Sequence, residues 1–148
     1  MNPVKNRMDN HDAIADTVGC GHVFDPVRRR RVALTPEEEV RQHTIHMLHE
    51  GYGYPLELMQ VEGTITVNGL SRRCDIVVYD NAGKPVIIVE CKRPDVPITQ
   101  RVCDQACRYN TALHVPILLL TNGTQQVVVE VDFEQRALRQ LASIPRYN

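Results

Sequence analysis

The sequence contains no run of eighteen apolar residues, which argues against a membrane-spanning helix. Its first residues, MNPVKNRMDNHDA, lack the apolar stretch of a secretory signal, so a cytoplasmic location is expected. No CxxC pair occurs among the five cysteines, Cys20, Cys74, Cys91, Cys103 and Cys107. With that odd count and no secretion signal, a disulfide framework is not expected. Cys20 stands close to His22, but no second pair follows at zinc-ligand spacing, so the thiols are read as free and partly buried. Charge of one sign is also missing: Lys and Arg number 17 against 18 Asp and Glu, a net charge of −1 that does not mark a nucleic-acid binder by bulk electrostatics. Internal repeats and low-complexity tracts are absent.

What is present is an ordinary globular balance, 43% hydrophobic and 24% charged in 148 residues, enough for one packed domain. Residues 1–23 have weak periodicity and read as an N-terminal arm; residues 24–148 read as a single domain. Arg28, Arg29, Arg30 and Arg31 form one basic run, a candidate for phosphate contact, with a solvated arm as the plainer reading. Thr35-Pro36-Glu37-Glu38 is a helix start. Thr35 can cap, Pro36 suits the first turn, and Glu38 would close a capping box. The helix is predicted to reach about Glu50, with Val40, Thr44, Met47 and Leu48 as its apolar stripe.

Strand-like runs follow over residues 60–67, 72–79 and 85–92, joined by the turn signals Asn68-Gly69 and Asp80-Asn81-Ala82-Gly83. A helix is predicted over residues 99–113, strands over 116–121 and 125–131, and a closing helix over 133–142. The order α-β-β-β-α-β-β-α implies an α/β domain with a mixed central sheet flanked by helices.

The chemistry concentrates at the end of the third strand. Side chains alternate along a strand, so Glu90 and Lys92 leave by one face and Cys91 by the other. The run before them, Val86-Ile87-Ile88-Val89, is apolar, and a charged pair emerging from a buried strand is costly unless paired or bound to an ion. Pairing about the 80–83 turn brings Asp75 near Glu90 or Lys92. Two carboxylates can hold Mg²⁺ (or Mn²⁺), with the backbone carbonyl of Cys91 as a further candidate ligand. A neighbouring lysine can orient water and offset charge on a phosphate, so the set suits phosphodiester hydrolysis. A salt-bridged strand end is the alternative for so short a pattern.

The segments TPEEEVRQ, RRCDIVVYD, GKPVIIVECKRPDVPI and CDQACRYN, followed by VPILLLTNG, resemble the N-terminal nuclease domain of type I restriction enzyme R (HsdR-type) subunits, a branch of the PD-(D/E)xK superfamily. The resemblance covers roughly residues 24–123. It implies a restriction-endonuclease-like fold and a Mg²⁺-dependent DNA endonuclease, in which Asp75 and Glu90 bind metal and Lys92 is catalytic. It also implies a helix glutamate at the metal: Glu37, Glu38 and Glu39 are the candidates, with Glu38 preferred because Gln42 and Ile45 continue its face. Its competing role is the capping box. Gln105 and Tyr109 match the QxxxY motif of these nucleases and share one helix face, where they could position DNA or brace the lysine.

There are two departures, of which the first puts little in doubt. Cys74 stands where the pattern has proline. No GxxxxGK[ST] phosphate loop occurs, so these residues carry no motor, and a stand-alone nuclease-like protein or a piece of a longer chain is expected. Expected partners are DNA, restriction-modification subunits or a separate motor protein, and a second copy of the chain. A non-catalytic nucleic-acid-binding or assembly module with the same fold is the alternative. His43, His46 and His49 drift around the first helix and read as exposed polar residues, while Tyr52 and Tyr54 are expected to pack at its end.

Overall fold

The computed structural model describes residues 4–5 and 21–148. Most of the expected arm, with Cys20, lies outside them. Strand β1 (Val4–Lys5) is followed by a hairpin of β2 (His22–Asp25) and β3 (Arg30–Ala33), then by α1 (Pro36–His46). Thr35 caps α1 by accepting from the Glu38 amide at 3.1 Å. The other half of the expected capping box does not form: the Thr35 amide donates to the Ala33 carbonyl instead, and the Glu38 side chain is engaged by arginines. The helix continues as a π-helical turn over Met47–Gly51. Beyond it Tyr54 is buried, its hydroxyl donating to the Pro145 carbonyl at 2.6 Å.

The middle of the chain forms β4 (Met59–Val61), β5 (Thr64–Val67), β6 (Leu70–Arg73), β7 (Ile76–Tyr79) and β8 (Pro85–Cys91). The two long strands expected over residues 60–79 are each broken in the middle. The inner halves, β4 and β7, pair within the main sheet, while β5 and β6 form a separate two-stranded sheet. Asn68 and Gly69 both take positive φ, as a tight hairpin turn requires.

Helix α2 (Gln100–Leu113) then carries the chain over the sheet to β9 (Ile117–Thr121), which lies parallel to β8. Strand β10 (Gln125–Asp132) returns antiparallel to β9. The predicted closing helix is not formed: residues 137–141 are β11 (Ala137–Leu141), antiparallel to β10. The Asp132 carboxylate accepts from the amides of Glu134 and Gln135, both at 3.0 Å, and Arg136 adopts a left-handed φ of 52°. That tight turn delivers Ala137–Leu141 onto the open edge of β10, and ladder hydrogen bonds override the helix propensity of the segment.

The main sheet runs β1-β10-β9-β8-β7-β4, with β11 sharing the outer edge of β10. Strict alternation sorts its side chains. Ile76, Val78, Ile87, Val89 and Cys91 face the layer of α1, against Ile45 and Leu48. Val77, Ile88, Leu118 and Leu120 face α2, against Cys103, Ala106 and Cys107. Burying each large aliphatic side chain contributes roughly 1.5–3 kcal/mol. Cys74, Cys91, Cys103 and Cys107 are free and buried, as expected, and burial pushes their thiols up from the ordinary range.

Candidate functional site

The β7–β8 register pairs Ile76 with Val89, so one step further along both strands sets Asp75 opposite Glu90. Ile88 faces α2, and the alternation of β8 sends Glu90, two residues on, to the same side. Lys92 follows the last residue of β8, where its amide donates to the Thr121 carbonyl at 2.8 Å and extends the pairing with β9. Asp75 Oδ2 accepts from the Cys91 amide at 2.8 Å, which fixes the carboxylate against the end of β8. Asp75, Glu90, Cys91, Lys92, Gln105 and Tyr109 all line one cleft of about 630 Å³. Five of the six side chains put forward as catalytic from the sequence therefore line the same cleft.

Glu38 is the sixth, and it does not line that cleft. Its carboxylate is buried, accepts from Arg28 and Arg41, and takes a third hydrogen bond from Gln42 at 3.0 Å. Glu37 faces the cleft instead, with Oε1 3.8 Å from Arg41 Nη2. The sequence misleads here because three consecutive glutamates differ only in where the helix points them.

Arg41, which is not among the candidates the sequence points to, is central. One of its nitrogens pairs with Glu38, and Nη2 donates to Asp75 Oδ1 at 2.9 Å. A chain of opposite charges thus runs Asp25–Arg28–Glu38–Arg41–Asp75, from the β2–β3 hairpin to the cleft. The i, i+3 spacing of Glu38 and Arg41 was its visible signal. Desolvation opposes the Arg41 charge, but the hydrogen bond it donates to Asp75 and the charges of Glu38 and Asp75 outweigh it, and its pKa is raised.

The basic run is divided. Arg28 is folded inward: Nε donates to Asp25 Oδ2 at 2.6 Å and another nitrogen reaches Glu38, so it is not free for a phosphate. Arg29, Arg30 and Arg31 are exposed, and Arg30 and Arg31 border a shallow depression that shares Glu37, Arg41 and Glu62 with the main cleft.

Asp25 is fully buried. Burial raises its pKa, but hydrogen bonds from Arg28, the amides of Arg28 and Val27, and Gln42 outweigh that, so the net shift is downward. A folded pKa below the unfolded value contributes stability that is present above about pH 4 and is lost as pH falls through the folded pKa. Asp25→Asn is therefore expected to lower stability at pH 7 by about 1.5–3 kcal/mol, the worth of hydrogen bonds to a charged group. In urea melts the gap between variant and parent should narrow as pH is taken from 7 to 3; a constant gap contradicts the assignment.

Among the described residues no group of three or more His, Cys, Asp or Glu side chains is placed to hold an ion. Two carboxylates nevertheless match what Mg²⁺ asks of a protein, which is one or two carboxylates with water filling the remaining positions. Asp75 and Glu90 are each already met by a cation, Arg41 and Arg72 respectively, so positive charge is what both oxygen sets accept. The donor set fits a hard divalent ion.

A mixed sheet with α1 on one face and α2 on the other, and acid-base residues at the ends of adjacent central strands, is a restriction-endonuclease-like core. Residues 36–145 match the family model of the type I restriction enzyme R protein N terminus (HSDR_N), and the chain belongs to that family. Its fold is similar to that of a fragment assigned as an HsdR subunit of a type I restriction enzyme from Vibrio vulnificus YJ016, with a TM-score of 0.52 and 19% identity over 74% of this chain. The match spans 23% of that structure's own chain. No curated protein matches. No helix among the described residues is long and apolar enough to cross a membrane.

Proposed function

We propose that the chain is a Mg²⁺-dependent DNA endonuclease domain of the type I restriction R-subunit kind. The observation that supports this most is the meeting of Asp75, Glu90 and Lys92 in one cleft beside Gln105 and Tyr109. Asp75 and Glu90, with the Cys91 carbonyl, would hold the ion, for which Mn²⁺ is a substitute. Bound there, such an ion would polarise the scissile phosphate and lower the pKa of a water beside it.

The chain's own residues do the rest. The Lys92 amine orients the attacking water and takes up its proton, and the ammonium so formed offsets charge on the phosphate as the P–O bond breaks and the leaving oxygen takes a proton from solvent. Gln105 and Tyr109, exposed on α2, border the path of the DNA backbone. DNA is the proposed substrate. Restriction-modification subunits, a motor and a second copy of the chain are proposed partners, since cutting both strands takes two centres or two visits. A cytoplasmic site of action accords with this reading.

Purified protein should cleave plasmid and linear DNA with Mg²⁺ or Mn²⁺ and stop when the ion is chelated. Equal cleavage by the parent and Asp75→Ala would sink the assignment. A second reading, a non-catalytic nucleic-acid-binding or assembly module, draws on the arginine already seated at each carboxylate. Ion-independent DNA binding with no cleavage under any condition is its signature.

A further inference from the structure

Arg72 is the penultimate residue of β6, in the small β5–β6 sheet, which is separate from the main one. Its guanidinium lies in the cleft between two of the proposed site residues. One nitrogen pairs with Glu90, and the central carbon sits 4.5 Å from the centroid of the Tyr109 ring. Both members of the ion pair are mostly buried, with side chains 19% and 13% exposed. A site meant for a divalent ion thus has both of its acids met by side chains of the same molecule, Asp75 by Arg41 and Glu90 by Arg72.

The charge balance sharpens the point. Four carboxylates and five cationic side chains line the cleft, so it is already compensated before any ion enters. A divalent ion on Glu90 beside an unmoved guanidinium would bring like charges within a few ångströms, in a setting where water screens them poorly. One of the two must yield Glu90 to the other.

We propose that Arg72 is a resident counter-ion that exchanges with the divalent cation. Without the ion it neutralises Glu90. When the ion takes Glu90, the guanidinium stays on the face of Tyr109 and turns to a phosphate oxygen of the DNA. The inference rests on the metal-dependent reading given above and adds to it a residue that couples ion and DNA binding. A guanidinium suits the role because its plane stacks on an aromatic ring while its edge pairs with either a carboxylate or a phosphate. Tyr109 then acts as a positioning residue, through Arg72.

The test uses the full chain in two measurements. Mg²⁺ is titrated calorimetrically without DNA, and a labelled duplex is titrated by anisotropy in Ca²⁺ across a range of salt. Because the guanidinium competes with the ion, Arg72→Gln is expected to bind Mg²⁺ about tenfold more tightly than the parent. It is expected to bind DNA more weakly, with a salt slope shallower by about one phosphate contact. Arg72→Lys, which keeps the charge, should restore the salt slope.

Tyr109→Leu, a change at an exposed helix position, should move both readouts in the same direction as Arg72→Gln, and it decides the matter if that variant does not fold. Unchanged or weaker Mg²⁺ binding in both overturns the role of Arg72. The Glu90→Gln arm separates the two failures. If the parent binds no Mg²⁺ that Glu90→Gln removes, the metal centre itself falls and this proposal with it.

Discussion

Lys92→Ala is expected to slow DNA cleavage by about 10²–10⁴-fold, the usual worth of a positioned acid-base group, while Mg²⁺ still binds. The side chain is half-buried beyond the end of β8, in the cleft that holds Asp75 and Glu90. It has no oxygen to offer an ion, so its loss removes chemistry and not the ion's ligands. Lys92→Arg should recover little. A guanidinium keeps the charge but does not give up its proton near neutral pH, and its planar fork occupies more room than an ammonium. Asp75→Ala should fail differently, losing Mg²⁺ affinity together with rate, because it removes a proposed ligand and frees Arg41 and the Cys91 amide that the carboxylate now engages. Single-turnover cleavage of supercoiled plasmid and calorimetry with Mg²⁺ distinguish the two variants. Cleavage by Lys92→Ala at the parent rate means that the amine has no part in the reaction.

The three residues at the heart of the cleft were legible because they depend on local rules. Alternation along one strand puts Glu90 and Lys92 on one face, and a short turn brings back the strand that carries Asp75. The QxxxY pair was legible for the same reason, since i, i+4 is one helix face whatever the surroundings. What could not be read was set by long-range competition. Val61, Ile65 and Val67 keep one phase straight through Gly63, so nothing local marks the break where Glu62 turns left-handed and β5–β6 leaves the main sheet. Residues 134–141 are good helix formers, and only the open edge of β10 makes a strand of them. The arginine run looks like solvated charge until the fold buries Asp25 and draws Arg28 inward. Identical neighbours such as Glu37 and Glu38 are told apart only by helix phase against a partner that lies elsewhere in the sequence.

That last distinction yields a large expected effect. Glu38→Ala is expected to destabilise the fold by about 3–5 kcal/mol, the typical cost of removing one member of a buried ion-pair network. Glu38 is 6% exposed and is the acid shared by Arg28 and Arg41, whose side chains are themselves mostly buried. Without it Arg28 keeps Asp25 and Arg41 keeps Asp75, but each guanidinium loses a close, buried carboxylate in a place that water reaches poorly. The damage should reach the cleft, because Arg41 is what holds Asp75 Oδ1. Mg²⁺ affinity is expected to fall about 10–100-fold, as when the support of a metal ligand is lost rather than the ligand itself. Glu38→Gln keeps an acceptor for the arginines and should be milder on both counts. The opposite pattern would identify Glu38 as a ligand: little change in urea or thermal unfolding, with Mg²⁺ binding lost. Unfolding midpoints and Mg²⁺ titrations on the same two variants therefore decide whether the middle glutamate of Thr35-Pro36-Glu37-Glu38-Glu39 braces the centre or belongs to it.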